Sequence, residues 1–168
     1  FFIAPTALVV KVLVGSTETS PMTIFFDDLA VDDEWTSGEY DVTENEILAF
    51  GEQYDPRWFH TDPDRAADES PYGGLIASGW HTAAISMRLL VDSFLGEAAT
   101  MGAKGVDTLR WRRPVQPGDQ LSVRATVAER EVDSDQRGTV RLHVETTNVD
   151  DEVVFTMVGI VMFARRDA

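Results

Sequence analysis

Between Ser78 and Gly96 the chain carries Trp80, Ala83, Ala84, Ile85, Met87, Leu89, Leu90, Val91, Phe94 and Leu95. The large polar interruptions are His81, Arg88 and Asp92. Ser78 and Gly96 stand where a helix start and a helix stop are wanted. A surface helix keeps one polar face, so a helix apolar almost all round is a buried helix. The rest of the chain must supply something to wrap it.

The wrapping is in the last third. Val106 to Arg113 reads as a strand, and Pro114-Val115-Gln116-Pro117-Gly118-Asp119 as the turn that ends it. Leu121, Val123, Ala125 and Val127 alternate with polar residues, and so do Val140, Leu142 and Val144, on either side of a turn over Asp133 to Gly138. That alternation marks half-buried antiparallel strands joined as hairpins. Val153 to Phe163 is almost continuously apolar and reads as a central strand covered on both faces. One long helix followed by an antiparallel meander makes an α+β fold in which the sheet curls around the helix. At 168 residues the chain is about one domain, large enough to bury its own core.

Ahead of the helix, Ser37 to Val42 alternates weakly as a short first strand. Thr43 with Glu46 three residues later is a capping box, and Ile47, Phe50 and Tyr54 recur on one helical face. Asp55-Pro56 ends that helix, because proline clashes with the helical conformation of the residue before it. A second helix is expected near Pro63, capped by Asp62, and Pro71 to Gly74 is a turn. Residues 1–21 are apolar but broken by Pro5 and Lys11, and are expected to be an extension upstream of a domain spanning 22–168. An extra edge strand is the other reading. The stretch is too short to cross a bilayer.

The charge balance narrows the partners. With 29 acidic residues against 14 basic ones the formal net charge is −15, and such a surface repels nucleic-acid phosphates. There are no cysteines, which removes thiol catalysis and thiolate metal sites and agrees with a cytoplasmic protein. Three scattered histidines without paired spacing give no metal site.

The chemistry gathers at Tyr54-Asp55-Pro56-Arg57-Trp58-Phe59-His60. Asp55 and His60 are proton-transfer groups five residues apart in a proline-constrained loop. Each alone reads more readily as a turn residue; together they suit a water held between carboxylate and imidazole. Gly73 to Gly79 leads into the apolar helix, whose first amides, around Gly79 and Trp80, are free donors suited to polarising a carbonyl. His81 is expected to be a core histidine with its hydrogen bonds satisfied, and His143 to lie on the polar face of its strand. Arg110, Arg112 and Arg113 cluster before the Pro114 turn.

Asp55-Pro56-Arg57-Trp58-Phe59-His60-Thr61-Asp62, then Tyr72-Gly73-Gly74-Leu75-Ile76-Ala77-Ser78-Gly79, then Arg113-Pro114-Val115-Gln116-Pro117-Gly118-Asp119 resemble the MaoC-like dehydratases, relatives of the (R)-specific enoyl-CoA hydratases. The resemblance runs from about Phe25 to Phe163. It implies a hotdog fold, usually a homodimer, with a catalytic Asp and His on Asp55 and His60. Those two would activate a water for addition across the double bond of a 2-enoyl thioester. Gly79, with Ser78 beside it, would meet the thioester carbonyl, and no cofactor is implied beyond the CoA of the substrate. The pattern departs at two positions: Pro56 follows Asp55 directly, where the family carries Asn-Pro before the His, and Ser78 stands where it often carries His.

These readings give a hydro-lyase acting on an acyl-CoA, with an acyl-CoA thioesterase or a non-catalytic thioester-binding subunit as the alternatives. Arg57 would either hold the Asp55 carboxylate as an anion, weakening it as a base, or grip an acidic acyl group. Some of Arg110, Arg112 and Arg113, or Arg88, are expected to face the CoA phosphates.

Overall fold

The computed structural model describes residues 23–166, so the expectation for residues 1–21 lies outside the described residues. The elements run β1 (Glu34–Thr36), β2 (Tyr40–Asp41), α1 (Glu44–Tyr54), α2 (Trp58–Thr61), α3 (Pro63–Glu69), α4 (Gly79–Ser93), β3 (Thr100–Trp111), β4 (Gln120–Val132), β5 (Arg137–Thr147) and β6 (Val153–Ala164). All pairings in the sheet are antiparallel, in the order β1-β4-β5-β6-β3, with β2 also pairing β4. The sheet packs its inner face against α4, the α+β arrangement expected from one long helix and a meander.

The caps form where the sequence places them. Thr43 Oγ1 accepts the Glu46 N–H at 3.3 Å, and Glu46 returns to the Thr43 N–H at 3.1 Å. Asp62 accepts the Arg65 N–H at 3.0 Å with Pro63 at the start of α3. Each such cap stabilises its helix by roughly 1 kcal/mol. Tyr40 also donates to Glu46, and that bond to a carboxylate pushes the phenol up to about 12.

The core lies between α4 and the inner face of the sheet. Ile85, Leu89 and Leu90 on the helix and Val123, Val127, Leu142, Val144, Phe155 and Phe163 on the strands are all buried. Trp35 stacks on Phe94 with ring centroids 3.8 Å apart. A buried polar contact helps fix the helix against the sheet: Ser86 Oγ and Thr146 Oγ1 are 2.7 Å apart and both buried.

Four differences from the sequence reading have local causes. The first strand is two short pieces, β1 and β2, with Ser37 between them, where the Ser37 N–H meets the Val123 carbonyl (2.8 Å) and Oγ accepts the Val123 N–H (2.8 Å). Helix α4 stops at Ser93; Gly96 sits in a following 3-10 turn, where a Cβ would stand 2.8 Å from the Val91 carbonyl oxygen. Strand β3 begins at Thr100, six residues before Val106, because Gly102 and Gly105 at positive φ let it run through register shifts. Strand β6 is central but fully buried on one face only, with Val158, Ile160 and Met162 partly exposed on the other.

The largest difference concerns α4 itself. Its sheet-facing side is buried, but Trp80, Ala84, Met87 and Val91, at helical spacing, face outward and are exposed. Among the described residues the sheet covers only one side of this helix.

Candidate active site

Asp55 is the C-terminal cap of α1, its N–H bonded to the Gly51 carbonyl at 2.9 Å, and Pro56 prevents the helix from continuing. The chain then folds tightly: the Arg57 N–H reaches the Asp55 carbonyl at 2.7 Å and the His60 N–H the Arg57 carbonyl at 2.8 Å. The result is α2, a single turn that the sequence reading placed in a plain loop. It packs so closely on α1 that a Cβ on Gly51 would lie 2.8 Å from the His60 carbonyl oxygen. That backbone-to-backbone approach brings the His60 ring back toward Asp55, with Nε2 3.3 Å from Asp55 Oδ2.

The His60 ring is 5% exposed as a residue and its tautomer is set by its surroundings. Nδ1 lies 2.7 Å from the Ile76 carbonyl oxygen. A carbonyl can only accept, so Nδ1 carries the hydrogen and Nε2 of the neutral ring is bare. A bare nitrogen facing a carboxylate oxygen at that distance needs a proton between them, from the pair itself or from a bridging water.

The opposite wall is the start of α4. Ser78 caps the helix, accepting the Trp80 N–H at 3.3 Å, and its hydroxyl donates to Asp55 Oδ2 at 2.8 Å. Gly79 is the first residue of the helix; among the described residues no acceptor meets its N–H. Trp111, at the end of β3, lies across Gly79 and donates Nε1–H to the Gly79 carbonyl at 2.7 Å. Its ring fills the space a side chain would need, since a Cβ on Gly79 would come within 2.5 Å of it.

These groups surround one pocket of about 540 Å³. Asp55, His60, Ser78, Gly79, Arg57, Arg112 and Arg113 all line it, joined by Tyr72, Trp80 and Trp111 at its walls. Asp55 is the one carboxylate among the lining residues, against three guanidinium groups. In a chain of net charge −15 this is a cationic island, which favours an anionic ligand locally. Arg57 Nε stands 3.6 Å from Asp55 Oδ1 with its side chain 70% exposed, and Arg113 pairs with Glu152 at 3.1 Å. Arg112 has no acidic partner within 4 Å among the described residues.

Two expected residues fall elsewhere. Arg88 lies on the outer side of α4, paired with Asp92 at 2.7 Å, and does not line the pocket. Arg110 turns back along its own strand to the Leu109 carbonyl at 2.7 Å. Ser78 lines the pocket as expected, but its hydroxyl hydrogen goes to Asp55. His81 is buried as expected, yet its Nδ1 has no hydrogen-bond partner among the described residues. Its ring stacks on Phe50, with centroids 4.8 Å apart, and burial pushes its imidazole below the ordinary range against a smaller opposing pull from Glu46. The contribution of Trp111 was not legible in sequence, because nothing in a strand pattern says that its last residue reaches a helix N-terminus.

Comparison with known proteins agrees with this geometry. Residues 30–150 match the family described as MaoC like domain. The chain is 28% identical over 130 residues to the uncharacterized protein YdeM of Bacillus subtilis, spanning 73% of this chain and 91% of that one. It is 33% identical over 108 residues to 3-hydroxyacyl-thioester dehydratase Z of Mycobacterium tuberculosis, 63% of this chain and 70% of the relative. Its structure superposes on that of the MaoC-like dehydratase from Rhodospirillum rubrum with a TM-score of 0.79 and 40% identity, covering 86% of this chain and 99% of the other. With its sheet laid against one long helix and its site at that helix's first turn, the chain belongs to the MaoC-like family and carries the hotdog fold.

Proposed function

We propose that the protein is a hydro-lyase that reversibly hydrates a 2-enoyl-CoA to a 3-hydroxyacyl-CoA. The observation that carries this reading is the His60 Nε2 to Asp55 Oδ2 pair, 3.3 Å apart, opening into the same pocket as the Gly79 amide, which meets no acceptor among the described residues. A thioester carbonyl seated on that amide would have its enolate-like charge stabilised at the positive end of α4, leaving the β-carbon electrophilic. A water held by the pair then adds: its oxygen bonds to the β-carbon as the pair takes its proton, and the pair returns a proton to the α-carbon. The sum of atoms is one water across one double bond. The step is redox-neutral and both protons travel through side chains, so the reaction calls for no cofactor.

Arg112 and Arg113, at the pocket rim, are assigned to the phosphates of CoA. Arg57, within 4 Å of the reacting pair, is assigned to the acyl end. The name of the Mycobacterium tuberculosis relative, a 3-hydroxyacyl-thioester dehydratase, supports the same substrate class. A homodimer is also proposed. Among the described residues strand β3 ends the sheet with one edge unpaired, and beside it lies the outward apolar face of α4. A second copy laid against both would complete the burial that the sequence of α4 demands. Among the described residues no helix is long and apolar enough to cross a membrane, and a cytoplasmic location is part of the proposal.

The test is purified protein incubated with crotonyl-CoA, following loss of the enoyl absorbance and release of free thiol in parallel. Hydration without thiol release is expected. Thiol release without hydration would replace this reading with thioester hydrolysis, and binding without either reaction would make the chain a thioester-binding subunit.

A further inference from the structure

We propose that Ser78 is the positioning residue of the acid-base pair, its hydroxyl turning Asp55 Oδ2 toward His60 and tying that carboxylate to the start of α4. The proposal rests on the hydro-lyase reading for its kinetic consequences but not for its geometry. A serine hydroxyl has one hydrogen and two lone pairs. The Trp80 N–H occupies a lone pair at 3.3 Å, and the hydrogen goes to Asp55 Oδ2 at 2.8 Å. That hydrogen is therefore not available to a thioester carbonyl, the role the sequence suggests for Ser78.

Three features make this contact the one that sets Asp55. Ser78 is 1% exposed, so water does not compete for its hydroxyl. Its backbone is held by the first turn of α4, through the Thr82 N–H to the Ser78 carbonyl at 3.0 Å. Apart from His60 itself, the carboxylate is also approached by Arg57 at Oδ1, but that contact is longer at 3.6 Å and comes from a side chain 70% exposed. A long, exposed guanidinium contact leaves its partner free to rotate, whereas a short bond to a buried hydroxyl does not. The chain Trp80 N–H to Ser78 Oγ–H to Asp55 Oδ2 is also a run of aligned donors starting at the positive helix end, each polarising the next. It joins the end of α1 to the start of α4 across 23 residues, so the carboxylate and the Gly79 amide are set by one rigid unit.

Glycine caps a helix nearly as well as serine and alanine much worse, which separates capping from positioning. In Ser78→Gly the melting temperature should stay near wild type, and in Ser78→Ala it should fall. In both, kcat for crotonyl-CoA hydration should drop about tenfold to a hundredfold with KM changed less than about twofold, and Ser78→Thr should recover most of kcat. The second readout needs no turnover: the His60 ring nitrogen resonances should move in Ser78→Gly and return in Ser78→Thr. Wild-type kcat in Ser78→Gly, or unmoved His60 resonances, would overturn the assignment. A wild-type protein inert toward crotonyl-CoA would instead count against the hydro-lyase reading, with the resonances still deciding the part played by Ser78.

Discussion

The indole of Trp111 donates its Nε1–H to the carbonyl of Gly79 at 2.7 Å and occupies the place where a Gly79 side chain would stand. An edge strand and a helix N-terminus are thereby locked together at the wall of the pocket. Gly79→Ala must push the ring away and lose the hydrogen bond, at an expected cost of about 1–3 kcal/mol in unfolding free energy. Trp111→Ala removes the obstacle, so Gly79→Ala made in that background should cost much less. Urea denaturation of the two single variants and the double variant measures the coupling, and additive effects would show that the two residues act separately.

The proposed acid-base pair makes the sharpest kinetic forecast. Asp55→Asn and His60→Gln each remove a proton carrier and keep the shape of the side chain, so hydration should fall by about 10²–10⁴ with an unchanged circular dichroism spectrum. Full activity in either variant would remove that residue from the mechanism.

Arg112 and Arg113 are expected to govern affinity. Arg112→Glu should raise KM for crotonyl-CoA well above the wild-type value and leave kcat close to it, because the phosphates sit far from the reacting carbons. The wild-type KM should also rise with added salt, as exposed charge pairs are screened. Steady-state kinetics at two ionic strengths checks both, and an unchanged KM in Arg112→Glu would move the phosphates elsewhere.

His81 should make the fold sensitive to mild acid. Its folded imidazole lies below the ordinary value of 6.5, chiefly because burial disfavours the charged ring, with Glu46 partly opposing. Protonation therefore favours the unfolded chain. The stability held by neutral His81 is complete above the unfolded value and is lost as pH falls through the lowered folded one. Urea midpoints should decline in wild type as pH falls below the ordinary imidazole value and decline less in His81→Leu, which also removes the Nδ1 that has no partner among the described residues. Asp133, held below the carboxylate range first by Lys104 and then by Thr139, acts only at lower pH and does not confuse the comparison. Parallel slopes for the two proteins would rule out His81 as the source.

The exposed stripe of Trp80, Ala84, Met87 and Val91 sets the forecast for assembly. Light scattering should return the mass of two chains, and Met87→Glu, which places a charge in the middle of the stripe, should shift that mass toward one chain. A monomeric wild type would end the dimer proposal.

Local signals written in the sequence were enough for much of the fold. The capping box at Thr43 and Glu46, the proline after Asp55, the Asp62 cap and the alternation in β4 and β5 are each short-range effects, settled within a few residues of backbone. They located α1, α3, α4 and the hairpin, and the Asp55–His60 spacing pointed to the pair. What they could not carry was anything fixed by distant contacts. The early start of β3 depends on glycines that can hold positive φ, and α2 depends on the closeness of Gly51 to the His60 backbone.

The apolar helix was the most constraining feature of the chain, and its sequence by itself determined that both sides must be covered. Only the tertiary structure showed that the described residues cover one side. Apolar periodicity records which side chains leave water, but says nothing of which molecule takes them in. The site divides the same way. Residue types and spacing determined that Asp55 and His60 could move protons, because those properties belong to the side chains. The direction of each proton was decided by folding, which set the Ile76 carbonyl against Nδ1 and the Ser78 hydroxyl against Asp55. Hydrogen-bond direction is a property of partners, and these partners lie 16 and 23 residues away in the chain.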